Sequence, residues 1–89
     1  MQMEDSCRSD VLVRMRRVQG QVAGIIAMIE DGRDCVDVVT QLSAASSAMN
    51  RAGFKVVSDG MQQCATAAER GEEPPIDPQK LEKLFLSLT

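Results

Sequence analysis

Along the first third of the chain, apolar residues fall at Val11, Met15, Val18, Val22, Ile25 and Ile29. Steps of 4, 3, 4, 3 and 4 place them on one stripe of an α-helix. The pattern predicts a helix over about 9–31, which Ser9 or Asp10 can cap and Gly32 can end. A second seam of Val38, Leu42, Ala45, Met49, Ala52 and Val56 repeats the same steps and predicts a helix over about 35–69. Asp34 is its cap, Asp37 stands three residues on in a capping-box-like position, and Gly71 can terminate it. The Pro-rich connector GEEPPID follows at 71–77. Asp77 then caps, and Pro78 starts, a third helix over about 78–88 carrying Leu81, Leu84, Phe85 and Leu88.

These elements read as a single all-α domain over residues 1–89. The two long helices, joined by a short loop, form an antiparallel αα-hairpin. Two helices leave an apolar stripe uncovered, so a second hairpin is expected to complete a four-helix-bundle dimer. A chain of 89 residues buries a modest core, which also favours assembly. Composition agrees with slender helical packing: there is no Trp, Tyr or His and only two Phe. The net charge is -3, yet four Arg and one Asp lie between Arg8 and Arg17. The N-terminus lacks the apolar core of a signal peptide, and no run is long and apolar enough to cross a membrane. We therefore expect a cytoplasmic protein whose three cysteines are reduced by default.

Two of those cysteines lie on the second predicted helix. Cys35 and Cys64 are 29 residues apart, roughly 43 Å along a continuous helix at about 1.5 Å per residue. Neither a disulfide nor a shared metal ion can span that distance within one chain. The same 29 residues are close to eight whole turns, so both cysteines point to nearly one side. Antiparallel packing of two such helices brings Cys35 of one chain to Cys64 of the other, and twofold symmetry makes two such sites. The competing reading is that the cysteines are small apolar core residues that share a face by chance. Cys7 lies in an N-terminal segment expected to be mobile.

Three stretches carry a resemblance. Residues 14–22 read RMRRVQGQV and are followed by Gly24, then Met28-Ile29-Glu30, then CVDVVTQLSA at 35–44. Together they resemble the CsoR/RcnR family of all-helical bacterial repressors, over roughly residues 11–65. The resemblance implies a dimer of dimers, a homotetramer that binds operator DNA without a helix-turn-helix and is released by an effector bound between subunits. It places Arg14 and Arg51 at DNA-contacting positions. In the copper-sensing members the site is Cys, His, Cys; those positions fall here on Cys35, Gly60 and Cys64, and the chain has no histidine. Two cysteines without the histidine look most like the persulfide-responsive, CstR-like branch.

That branch implies a small persulfide or polysulfide as effector. Cys35 takes up sulfane sulfur, and Cys64 of the partner subunit resolves it into a di-, tri- or tetrasulfide crosslink that releases DNA. On this reading Gly60 leaves space for the added sulfur atoms, and no resident cofactor is expected. The alternative effector is copper(I), held by Cys35 and Cys64 with a third ligand other than His, for which Cys7 is a candidate. For DNA, Arg14 and Arg17 share one helix face with Arg16 beside it, and Arg51 and Lys55 share a face of the second helix. Such cations supply phosphate affinity and salt dependence. A small thiol sulfur carrier ranks lower, because CxxC spacing and a nearby His are both missing. A plain helical interaction module is the remaining option, and DNA binding separates it from the repressors. No enzymatic activity is expected.

Overall fold

The structure, a computed structural model, describes residues 1–89. It contains three α-helices and no strand: α1 over Asp5–Glu30, α2 over Cys35–Glu69 and α3 over Pro78–Ser87. The two long helices pack as a hairpin, and α3 packs on α2 alone. The Cα envelope measures 58 × 24 × 12 Å, a slab one helix thick.

Local chemistry sets most of the helix ends. The Asp34 carboxylate accepts from the Val36 N–H at 3.2 Å, and Asp77 accepts from Gln79 N–H at 3.0 Å, with Pro78 in the first turn behind it. Gly32 and Gly71 end the two long helices with φ of 70° and 68°. In both cases the following residue donates five back, Arg33 to Met28 and Glu72 to Ala67, at 2.9 Å. These are Schellman closures, and the left-handed residue they need is cheapest as glycine. Asp37 does not complete a capping box; its carboxylate instead meets the Arg33 guanidinium at 3.3 Å.

The start of α1 departs from the sequence pattern. The helix begins at Asp5 rather than near Ser9 or Asp10, and its first-turn cap residue, Glu4, supplies no side-chain hydrogen bond. A tertiary bond takes the place of the local cap: the Glu4 N–H donates to Asp59 Oδ2 of α2 at 3.0 Å. Cys7 is consequently helical and half-buried, not part of a mobile tail.

Half of the apolar seam closes within the chain. Val18 and Ile25 of α1 and the small Ala45 and Ala52 of α2 are all buried where the two helices pack. Val22, Ile29, Leu42 and Met49 belong to the same stripes, yet they are 44–58% exposed. With Ile26 they line an open apolar trough of about 540 Å³. A stripe this wide exceeds what two helices can cover, so only nine of 89 residues are buried.

On the other side, α3 crosses α2 antiparallel at two glycines. A Cβ built on Gly53 would stand 2.7 Å from Leu88 Cδ2, and one on Gly60 would stand 3.1 Å from Leu81 Cδ1. Gly53 and Gly60 are seven residues apart, as are Leu81 and Leu88. Two leucine knobs therefore enter two side-chain-free holes at the same heptad spacing. Phe85 reinforces the contact edge-on against Phe54, with ring centroids 5.7 Å apart.

Candidate functional site

Helix α2 runs unbroken from Cys35 to Glu69, so its two cysteines stay roughly 43 Å apart within the chain. Cys35 is exposed at the first residue of the helix, beside the Asp34 cap. Cys64 is half-buried, and its thiol donates to the Ile76 carbonyl at 3.7 Å, in the connector to α3. Val57, Met61, Pro78, Leu81 and Phe85 surround Cys64 in an apolar hollow of about 310 Å³. One protomer thus offers two separate half-sites, and no three His, Cys, Asp or Glu side chains cluster within it.

Gly60 lies one turn before Cys64 and is buried. The space above it is filled. Besides Leu81, the Met1 side chain covers it, with Sδ 3.1 Å and Cε 3.2 Å from where a Cβ would stand. The expectation that Gly60 leaves room for added sulfur atoms is therefore corrected, because two side chains already use that room.

Residues 1–4 form a strap held across α2 around this position. Glu4 N–H donates to Asp59 Oδ2, and the Gln63 amide donates both to Asp59 Oδ2 at 2.9 Å and to the Gln2 carbonyl at 2.8 Å. Asp59, only 8% exposed, has its buried carboxylate satisfied by these two donors. Asp59 and Gln63 flank Gly60 in sequence, so the strap crosses where the glycine is. No local pattern in the sequence marks this arrangement; the apolar residue Met1 and the mid-helix pair Asp59 and Gln63 were its only traces.

Cys7 stands elsewhere. Its thiol meets the Lys55 carbonyl at 3.8 Å, nine residues before Cys64 and so about 13 Å from it along α2. Burial pushes the Cys7 thiol above its ordinary 9.0, and the charges of Asp59 and Asp10 add to the shift against the opposing Lys55. Within one protomer Cys7 therefore lies apart from Cys64.

The basic residues converge through a carboxylate. Asp10 accepts from Arg14 Nε at 3.0 Å and lies 3.5 Å from Lys55 Nζ, so one acid joins a cation of α1 to a cation of α2. Burial raises its carboxyl, but the Arg14 guanidinium and Lys55 ammonium outweigh this and hold it below the ordinary 3.8. Arg51, one turn before Lys55, and Arg16 and Arg17, beyond Arg14, are exposed. Arg14 and Lys55 are therefore brought together, with Asp10 as a shared counter-ion that periodicity alone did not single out.

The donor set available to an effector is soft: thiols at Cys35 and Cys64 and thioethers at Met1 and Met61, with no imidazole in the chain. Such donors suit copper(I) and ill suit nickel or cobalt. No helix is long and apolar enough to cross a membrane.

Comparison with known proteins points the same way. The family model described as "Metal-sensitive transcriptional repressor" matches residues 7–88. The copper-sensing transcriptional repressor RicR of Mycobacterium tuberculosis is 41% identical over 64 residues, covering 72% of this chain and 67% of that protein. The copper-sensing repressor CsoR of Bacillus subtilis is 34% identical over 61 residues, covering 68% and 60%. CsoR of Mycobacterium ulcerans is 39% identical over 57 residues, covering 64% and 49%. The chain thus spans between about half and two thirds of the length of these relatives. No solved structure matches it.

Proposed function

The chain belongs to the metal-sensitive transcriptional repressors, a family of non-enzymatic regulators, and from that premise we propose that it binds operator DNA and releases it on taking up copper(I). The observation that carries this reading is a pair of thiols on one face of an unbroken helix, in a histidine-free chain similar to repressors named as copper-sensing. Thiolates are soft ligands and select copper(I) over harder cations. Because Cys35 and Cys64 are too far apart to share an ion in one chain, the site is intersubunit: Cys64 of one protomer and Cys35 of the partner subunit. A second hairpin packed over the trough of Val22, Ile26, Ile29, Leu42 and Met49 makes the four-helix bundle that brings them together. Two such dimers make the tetramer. Arg14 and Lys55, with Arg16, Arg17 and Arg51 around them, supply the phosphate contacts that offset the net charge of -3.

A specific observation favours a second effector, reactive sulfur. Position 60 carries no side chain, and two cysteines suffice to accept sulfane sulfur and close a crosslink. An anaerobic comparison separates the two. Reduced protein is titrated with copper(I) against a chromophoric chelator, and a parallel sample receives an organic persulfide and is weighed intact under non-reducing conditions. The copper reading expects tight, stoichiometric metal lost in both Cys35→Ser and Cys64→Ser, with monomer masses unchanged by persulfide. Covalent dimers carrying added sulfur, together with weak copper binding, overturn it in favour of the second reading.

A further inference from the structure

Resting on the copper reading, we propose that the Met1 thioether is the third soft donor of each site, standing above Gly60 and completing a set of Cys64, Met1 and Cys35 of the partner subunit. The argument begins with what Gly60 lacks. A donor at position 60 would stand one turn from Cys64, where residues four apart on a helix face one another. Gly60 offers no donor of its own, but the Met1 sulfur lies 3.1 Å from where its Cβ would be. The thioether thus occupies the space that a side chain at 60 would enter.

Its placement is built, not incidental. Two hydrogen bonds hold the strap to α2 around Gly60, Glu4 N–H to Asp59 and Gln63 to the Gln2 carbonyl, and a third, Gln63 to Asp59, joins their α2 partners. Leu81 touches the same position from the other side and also lines the hollow at Cys64. Any side chain at 60 would push against both Met1 and Leu81. Glycine is therefore the residue that lets a sulfur from another part of the chain approach the turn before Cys64. A thioether is a soft, neutral ligand, so it adds a donor without adding charge beside two thiolates. On metal binding the two thiols give up their protons to solvent, while Met1 has none to lose. Asp59 and Gln63 act as positioning residues, since they hold the strap and do not touch the metal.

The test uses selenomethionine protein of residues 1–89, produced behind a fusion cleaved to leave residue 1 first. Copper X-ray absorption is recorded on copper(I)-loaded wild type, Met1→Leu and Met61→Leu, alongside competition with a copper(I) chelator. Wild type is expected to show a copper–selenium scatterer together with sulfur. Met1→Leu is expected to lose the selenium scatterer, keep the sulfurs and bind copper about tenfold more weakly, while Met61→Leu matches wild type. A selenium signal that survives in Met1→Leu, or that is never present, overturns the proposal. Neither outcome is confused with failure of the copper reading, in which wild type itself takes up no copper through its thiols.

Discussion

Replacing Asp59 with Ala separates the strap from the hairpin. The carboxylate accepts one of the two hydrogen bonds that hold residues 1–4, from Glu4 N–H, and it fixes Gln63, the donor of the other. A hydrogen bond to a charged group contributes about 1.5–3 kcal/mol. The lower end applies, because Gln2 and Glu4 are exposed and water can take over from the lost acceptor. Strap docking should therefore weaken by about 1.4 kcal/mol, equivalent to about tenfold in its equilibrium. The first turn of α1 loses its tertiary anchor at Glu4 and frays toward Ser9 and Asp10, where local capping is available. Amide hydrogen exchange reads this residue by residue. Protection at Glu4 should fall about tenfold, whereas Val18 and Ile25, buried in the hairpin seam, should change by less than about twofold. Equal loss at all three positions would show that Asp59 belongs to the global fold. Unchanged protection at Glu4 would show that the strap is held by something else, and would remove the support for Met1 above Gly60.

Three further outcomes follow from the same contacts. Arg14→Ala should lower the slope of log affinity against log salt on a generic DNA duplex by about 0.9 for each protomer that engages it, and an unchanged slope would exclude Arg14 from the phosphate contacts. Because the native state holds the Cys7 proton above its ordinary 9.0, Cys7 should alkylate more slowly in the folded than in the unfolded chain around that pH. The difference should shrink as the pH rises past the folded value, and the Cys7 contribution to stability should be lost as the pH rises from 9.0 through that value. Met49→Glu places a charge in the open trough and should shift sedimentation toward a smaller assembly; sedimentation like wild type would show that the trough faces solvent.

What the sequence reveals here depends on how far apart the interacting residues are. Asp34, Asp77, Gly32 and Gly71 mark helix ends through hydrogen bonds closed within five residues, so their roles are readable from local chemistry alone. The apolar stripes on α1 and α2 are equally readable, but the division between Val18 and Ile25, buried, and Val22 and Ile29, exposed, depends on the width of a two-helix contact. The start of α1 was hidden because its anchor, Asp59, lies 55 residues away. Gly53 and Gly60 look like weak points in a helix until the matching spacing of Leu81 and Leu88 is set against them. The cysteine register was legible as a spacing, and the unbroken α2 keeps it. What fills the space above Gly60 was not, since neither Met1 nor Leu81 signals its destination by periodicity. Asp10 was readable as a helix cap, yet it serves instead as the shared partner of Arg14 and Lys55.

The most direct measurement of the central claim mixes two inactive proteins. Cys35→Ser and Cys64→Ser homodimers each lack one thiol from both sites. A mixed dimer of the two carries one site with both thiols and one with neither. Copper(I) release of a DNA duplex, followed by anisotropy under anaerobic conditions, should therefore be absent from either variant alone and return in the unfolded-and-refolded mixture. Tight copper in the mixture should be about half the wild-type content per mixed dimer. No recovery of copper binding or DNA release in a mixture shown to contain mixed dimers would contradict the intersubunit site.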